Sequence, residues 1–391
     1  MKITRVQIRS FRNIKESSYI PNDELNGFWG ENGQGKTNYL EALYASFRLK
    51  SFRPYCSKSD WFPSNDEQIE NSKIQIDLID SRGLEIQLLL ISDEQKRWKL
   101  FYNGKKASIA RIRELIPIIV FSPDDHSLIR GGPEGRREFI DELFTDVAPG
   151  YGEVLSRYQR TIKQRNELLK RLRREEIYES DELINWTRVC AREGAELCRL
   201  REELWPEFKQ SFLKISHEIL GERLKDIHIS FHNDVFEKMG AHNESMIFSA
   251  LMDEKMKDIA TGWTHRGPHR DDFLISIAED SLAKTHASQS QARLLALALK
   301  WTHAEFLRRQ RDEPGIFLID DLSSELDAVH RDQLFSRIIK HSGQLFLSGT
   351  EHSLVDLKDF SDYTYWEVQK GRIQQLKHGK YSRISTTQRC L

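Results

Sequence analysis

The sequence predicts an α/β fold: a phosphate-loop nucleotide-binding domain assembled from both ends of the chain, with a mainly helical lobe inserted between them. Three observations predict it. Residues Gly30 to Thr37 read G-E-N-G-Q-G-K-T, which fits G-x-x-x-x-G-K-[ST] without a mismatch, after a strand-like run and before a helix-like one. Near the other end, "GIFLID" and "QLFLSG" are buried-strand runs separated by a helical stripe of Phe335, Ile338 and Ile339. That β-α-β order implies parallel strands in a covered sheet. Finally, Lys36 and Asp320, at the acidic end of "GIFLIDD", lie 284 positions apart, so a large insertion must separate the halves.

The elements follow in order. Val6, Ile8 and Ser10 lead into Phe11 in an extended pattern, and "LNGFWG" is a strand ending in the loop's first glycine. Leu40, Leu43, Tyr44 and Phe47 then fall at i, i+3, i+4 and i+7, one face of a helix. Alternation returns in "KIQIDLID" and "LEIQLLLI", and "WKLFYNGKKASI" turns at Asn103-Gly104. From about Gly135 to Gly221 the period is helical, in three stripes: Leu155 to Leu172, Leu197 to Leu204, and Phe208 to Ile219. Ile227, Ile229 and Phe231 make a short strand, and "ARLLALALKW" is an apolar helix. The halves are read as 1–120 and 262–391, and the inserted helical lobe as 121–261.

Composition narrows the class. Hydrophobic residues are 39%, charged residues 30% and the formal net charge −1, so any nucleic-acid surface must be local and balanced elsewhere. No apolar run reaches the ~18 residues of a membrane span, and "MKITRVQIRSF" has no signal-peptide apolar stretch, so a soluble, cytoplasmic protein without a membrane partner is expected. Cys56, Cys190, Cys198 and Cys390 form no C-x-x-C pair and read as free thiols. His228, His232, His265 and His269 make no metal set, since the first two sit two pleats apart on a strand and Gly267-Pro268 argues against a helix aligning the last two.

The chemistry sits in two places. The glycines of the loop (Gly30, Gly33, Gly35, with Glu31, Asn32, Gln34 and Asn38 around them) let backbone N–H groups turn toward phosphates at a helix N-terminus. Lys36 would reach the β- and γ-phosphates, and the Thr37 hydroxyl would ligate Mg²⁺. Such a loop needs a carboxylate at the end of a neighbouring strand. Asp320 would hold the metal through water, and Asp321 would polarise the attacking water. Asp124-Asp125, which follows a proline, and Asp271-Asp272, which follows "GPHR" rather than an apolar run, are weaker rival pairs. Residues 157–174 hold Arg157, Arg160, Lys163, Arg165, Lys170, Arg171, Arg173 and Arg174 against one acid, Glu167. That run reads either as a solvated helix face or as a track for a phosphate backbone. Arg48, Lys50, Arg53 and Lys58 follow the loop helix and would line a groove between two copies; the tail after Lys370 is basic as well.

Several longer stretches carry a family resemblance: "RSFRN", "PDDHSLIRGGPEGRREFID", "RYQRTIKQRNELLK", "TGWTHRGPHRDDF", "ASQSQARLLALALK" and "LIDDLSSELDAVHRDQL". Together they resemble the RecF family of bacterial recombination and repair ATPases over nearly the whole chain. RecF is similar to SMC heads, which are ABC-class ATPases, so the fold implied is an ABC/SMC-head-like ATPase lobe with an inserted helical lobe. The resemblance implies ATP and Mg²⁺ as cofactors and a composite site. One copy offers its phosphate loop; a second offers a signature turn, here Ser288-Gln289-Ser290-Gln291, with Ser290 where the family pattern S-x-G-Q has glycine. Asp327 would lie across the interface as the D-loop residue. Arg12 is either a phosphate or adenine-side contact or a structural residue. Thr350 and His352 are candidates for the histidine-switch place, and no metal-ligating glutamine can be assigned. The activity implied is weak, DNA-stimulated ATP hydrolysis by an ATP-dependent homodimer at gaps, single-strand/double-strand junctions or duplex, without sequence specificity. RecR would be the partner and recombinase loading the outcome. The alternative is an ATP-gated DNA clamp with negligible hydrolysis.

Overall fold

β1 (Lys2–Phe11) and β2 (Ile14–Tyr19) form an antiparallel pair, and the inward residues of β1 are Ile3, Val6 and Ile8. The three-residue step from Ile3 to Val6 breaks the two-residue period because the ladder to β4 carries a bulge between Ile3 and Arg5. β3 (Leu25–Trp29) runs into the phosphate loop and α1 (Lys36–Arg48). β4 (Lys73–Ile79), β5 (Glu85–Ser92), β6 (Trp98–Tyr102) and β7 (Lys105–Lys106) complete an antiparallel sheet of order β2-β1-β4-β5-β6-β7, turning at Asn103-Gly104 as read. α2 (Ile109–Leu115) and β8 (Ile118–Phe121) follow. The computed structural model describes residues 1–63, 72–221, 226–235, 244–278, 281–310, 315–321, 343–350, 360 and 362–380.

The middle of the chain is helical: α3 (Ser127–Arg130), α4 (Pro133–Val147), α5 (Tyr151–Glu175) and α6 (Asp181–Leu220). The second and third sequence stripes are one helix, α6, which runs through Pro206. A mid-helix proline costs about 3 kcal/mol. Here Trp205 and Phe208 on either side are buried against Phe231 and Phe273, and burying each such side chain recovers roughly 1.5–3 kcal/mol. The start of α6 is capped by Ser180, whose side chain accepts from Leu183 N, with Asp181 and Glu182 in the first turn. Then come β9 (His228–His232), α7 (Glu244–Asp253), α8 (Lys255–Thr261), β10 (Asp272–Ala278), β11 (Ser281–Leu282), α9 (Ala283–His286) and α10 (Gln289–Gln310).

Charged groups in this region are buried in pairs. Arg201 donates to Asp141 Oδ1 (2.8 Å), Asp271 Oδ2 (2.7 Å), the Pro268 carbonyl and the Tyr151 hydroxyl. Arg136 grips both oxygens of Asp272. The rival pair Asp271-Asp272 is therefore structural. Cys190 and Cys198 are free thiols that burial pushes up to about 12.

His269 is nearly buried between the Tyr158 hydroxyl (2.7 Å from Nδ1) and the Thr264 carbonyl (3.0 Å from Nε2). A carbonyl only accepts, so the ring is the neutral Nε2–H tautomer, and burial holds its pKa at about 4. Its folded pKa is below the unfolded value near 6.5, so the unfolded chain binds a proton first. Stability is then complete above pH ~6.5 and falls as pH drops toward ~4, by up to about 3 kcal/mol. His269→Gln keeps a donor for Thr264 and does not titrate. Thermal unfolding from pH 7 to pH 4 checks this, and equal slopes for the two proteins would refute it.

The last third closes the parallel sheet. β12 (Ile316–Ile319), β13 (Gln344–Gly349), β14 (Asp362–Gln369) and β15 (Arg372–Lys380) join β3 and β8 in the order β15-β14-β3-β13-β12-β8. All neighbours are parallel except the β14–β15 hairpin. Strands β3, β12 and β13 are buried along their whole length, as a sheet covered on both faces requires. Residues Met1–Asp125 with His303–Leu391 form one compact unit, and His126–Thr302 form the other. Residues 262–302 group with the helices, where the sequence reading put them with the nucleotide-binding halves, because β10 pairs with β9 and β11 and not with the parallel sheet. In the first unit α1 is buried on nearly every side, sharing a hydrophobic cluster with Ile74 and Leu88 of one sheet and Leu318 and Phe346 of the other. The helix read between β12 and β13, Asp327, His352, Cys390 and the basic tail's Arg383 and Arg389 lie outside the described residues. Among the described residues no helix is long and apolar enough to cross a membrane.

Candidate nucleotide-binding site

β3 delivers the chain to Gly30, and α1 begins at Lys36 with Gly35 as its N-cap in the left-handed region, φ 106°. A side chain there would be strained and would press a β-carbon to within 2.5 Å of the Asn13 amide. Asn13 donates to the Gln34 carbonyl (3.1 Å) and accepts from Asn38 Nδ2 (2.7 Å), tying the β1–β2 turn to both sides of the loop. The β14–β15 turn holds it from another direction: Gly371 N donates to the Gln34 carbonyl (2.8 Å), Lys370 N to Gln34 Oε1 (2.8 Å), and Tyr39 donates its hydroxyl to the Gly371 carbonyl. The loop is thus fixed by backbone far away in sequence.

Lys36, almost buried, folds its ammonium back onto the Gly30 and Glu31 carbonyls (2.7 and 2.8 Å). Burial lowers its pKa, while Asp321 and Asp320 pull it up. β12 leads directly into Asp320, whose Oδ1 accepts from the Thr37 hydroxyl (2.8 Å) and from the Ser348 hydroxyl (2.6 Å). Parallel pairing of β12 with β13, and of β13 with β3, brings residues 37, 320 and 348 together. Burial pushes the Asp320 carboxyl up; the hydrogen bonds from Ser348 and Thr37 and the charge of Arg53 oppose it. Asp321 sits in the left-handed region at φ 47°, and its N–H donates to Ser348 Oγ (2.9 Å). Thr37 and Asp320 supply hard oxygen donors, which suits Mg²⁺, and both hydroxyl donors use Oδ1 of the carboxylate. Among the described residues no group of three or more His, Cys, Asp or Glu side chains is arranged to hold a metal ion.

Beside the loop lies a buried carboxylate that the sequence reading passed over. Glu41, fully buried in α1, accepts from Arg12 Nη2 (2.7 Å), Ser51 Oγ (2.7 Å) and Trp61 Nε1 (3.1 Å), and pairs with Arg53 Nε (3.5 Å). Arg53 also donates to Asn38 Oδ1 (2.6 Å). Both arginines are therefore held against the loop helix. Arg48, expected in a groove, is buried and donates to the Ile116 and Ile118 carbonyls. Ser348, Asn13 and Glu41 could have been suspected only as polar residues ending or interrupting apolar runs.

The signature turn forms a capping box: Gln291 N donates to Ser288 Oγ (3.2 Å) and Ser288 N to Gln291 Oε1 (2.8 Å). Ser288 and Ser290 are exposed at the start of α10. The basic run of α5 divides. Arg160 and Lys163 are exposed, and Arg157 is half-exposed and paired with Glu193 at 2.9 Å. Arg165 points the other way. It is fully buried and ion-paired with Asp258 (2.7 Å), with Thr187 and Thr264 accepting further bonds, so it is withdrawn from any surface. Within the run only Glu167 is acidic, and it pairs with Lys170, whereas Asp258 reaches Arg165 through the fold.

Three comparisons bear on this geometry. The family model described as the RecF/RecN/SMC N terminal domain matches residues 2–366. The chain is 29% identical to the DNA replication and repair protein RecF of Halothermothrix orenii, over 96% of this chain and 100% of that protein. It is 30% identical to RecF of Shewanella putrefaciens, over 95% of this chain and 99% of that one. Among solved structures it is similar to "the recombination mediator protein RecF-ATP in RecFOR pathway", with TM-score 0.85, 26% identity, and 96% and 98% of the two chains covered. An Smc head domain with an extended coiled coil, TM-score 0.53 and 15% identity over 97% and 96% of the chains, shares the fold.

Proposed function

The chain belongs to the RecF family of the RecF/RecN/SMC class, and from that premise we propose that it is an ATP-driven DNA-binding switch of recombinational repair, acting in the cytoplasm. The observation that carries the reading is the convergence of Thr37 and Ser348 on Asp320 beside a glycine loop whose lysine lies across its own carbonyls. Lys36 exchanges those carbonyls for the β- and γ-phosphates, the loop's N–H groups and the helix N-terminus orient the phosphate chain, and Thr37 and Asp320 hold Mg²⁺. Bound there, Mg²⁺ would screen the phosphate charge. Asp321 orients the attacking water, and Arg12 and Arg53 add positive charge at the loop's edge.

Hydrolysis needs a second copy. Its Ser288-Gln289-Ser290-Gln291 turn, at the start of α10, presents hydroxyls and a helix N-terminus to the γ-phosphate, and its Asp327 faces the shared interface. ATP therefore favours the paired state, and hydrolysis releases it; the coupling is the difference in ATP affinity between the two states. The relatives described as RecF act in DNA replication and repair and in the RecFOR pathway, which supports DNA gaps or junctions as the site of action and RecR as the partner. Ser290, in place of glycine, adds a side chain where backbone would approach phosphate, which slows turnover.

Sedimentation velocity with ATP, ADP and no nucleotide tests this. The wild type is expected to dimerise with ATP only, and Ser290→Gly to hydrolyse ATP faster while still dimerising. If neither protein dimerises with ATP, the composite site is wrong. ATP-dependent dimers with no measurable turnover would favour the clamp reading.

A further inference from the structure

On the second compact unit, α5 and the end of α8 place an exposed tryptophan over a row of cations. Arg160, Lys163, Lys170 and Arg174 fall 3, 7 and 4 residues apart, a single stripe along α5 that is ~21 Å long, and all but the partly covered Lys170 are exposed. Arg160 bonds only its own helix, at the Ser156 carbonyl, and Lys163 and Arg174 have no acidic partner among the described residues. Glu167 is the one acid in the row and pairs with Lys170. Next to the stripe, Trp263 is 57% exposed, and Lys170 Nζ lies 4.6 Å from its ring centroid.

This exposure is not that of a loose loop. Gly262 ends α8 in the left-handed region at φ 76° and lets the turn press on α5, where a β-carbon would come within 3.0 Å of Lys170 Cγ. Thr261 O accepts from Arg173. Thr264 is bound twice to Asn166 Oδ1, by its N–H (2.9 Å) and its hydroxyl (2.7 Å), and accepts from buried Arg165 (2.7 Å). The backbone on both sides of Trp263 is clamped, yet the indole is left in water. Leaving so large an apolar ring exposed forfeits burial energy, and nothing in the packing requires it.

We infer that Trp263 and the α5 stripe form a binding site for single-stranded nucleic acid, with an unpaired base stacked on the indole and the phosphates tracked by Arg160, Lys163, Lys170 and Arg174. Stacking on an aromatic face beside a cationic row is how strands with exposed bases are held without sequence readout. A duplex keeps its bases stacked on each other and would use only the cations. The inference rests on the DNA-binding reading and names the strand: the protein meets the single-stranded side of a junction here. Arg165 then acts on this site as a positioning residue, by holding the turn that carries Trp263.

The test is fluorescence anisotropy of the full chain, with ATP, on a labelled oligothymidylate and on a labelled duplex of equal length. Trp263→Ala should weaken single-strand binding about 5- to 100-fold and duplex binding less than about twofold, and Trp263→Phe should keep most of the affinity. The triple change Arg160→Gln, Lys163→Gln, Arg174→Gln should weaken both and flatten the salt dependence. Equal loss on both ligands, or none, for Trp263→Ala at an unchanged melting temperature would overturn the inference. Wild-type binding to duplex alone would leave DNA binding standing and remove this site, whereas no binding to either would remove both. A matching loss on polyglutamate would assign the surface to acidic protein segments instead.

Discussion

Lys36→Ala is expected to lower ATP turnover by about 10²-fold or more, because it removes the ammonium that the loop offers to the phosphates. The side chain has little other freedom: it is nearly buried, and its ammonium is held by Gly30 and Glu31 at the mouth of the loop. Burial lowers its pKa, and the charges of Asp321 and Asp320 opposite it pull the other way. Without it, the charges of Asp320 and Asp321 lose a counter-charge inside the loop. Steady-state hydrolysis with and without DNA gives the turnover, and sedimentation with ATP gives the dimer. Both should be lost together. Retention of turnover within about threefold of wild type would mean that the loop is not where ATP is hydrolysed.

Arg165→Met is expected to cost about 3–5 kcal/mol of stability, the loss typical when one partner of a buried ion pair is removed. Arg165 and Asp258 are both fully buried, and the guanidinium also satisfies Thr187 and Thr264. Removing it leaves Asp258, among the described residues, with His265 as side-chain partner, through the backbone N–H and Nδ1. Urea unfolding of Arg165→Met measures the cost, and Arg165→Met with Asp258→Leu should recover part of it because no buried charge then remains alone. A residue that only touched DNA from the surface would change stability by no more than about 0.5 kcal/mol. A loss that small would return Arg165 to the DNA-facing row.

Read alone, Arg165 was indistinguishable from Arg160 and Lys163, since charge and position on a helix say nothing of what packs against it. Asp258 lies 93 residues away and arrives through α8. The same holds for Arg48 and Glu41, whose partners come from other strands and loops. The stripes Leu197 to Leu204 and Phe208 to Ile219 read as separate in sequence, while aromatic packing on both sides of Pro206 carries one helix through both.

The phosphate loop, its strand and helix, the antiparallel strands and the acidic end of β12 were legible in the chain itself. Each depends on local order, glycines where backbone must turn, and apolar residues at a period of two or of 3.6. The sequence alone therefore determined the class of the nucleotide site and the position of Lys36, Thr37 and Asp320 in it. Only the tertiary structure decided that Ser348 closes on Asp320, that Asn13 and Lys370-Gly371 brace the loop, and which basic residues are left outside. Those facts depend on which strands lie side by side and on which charges meet when water is removed, and no periodicity along the chain encodes either.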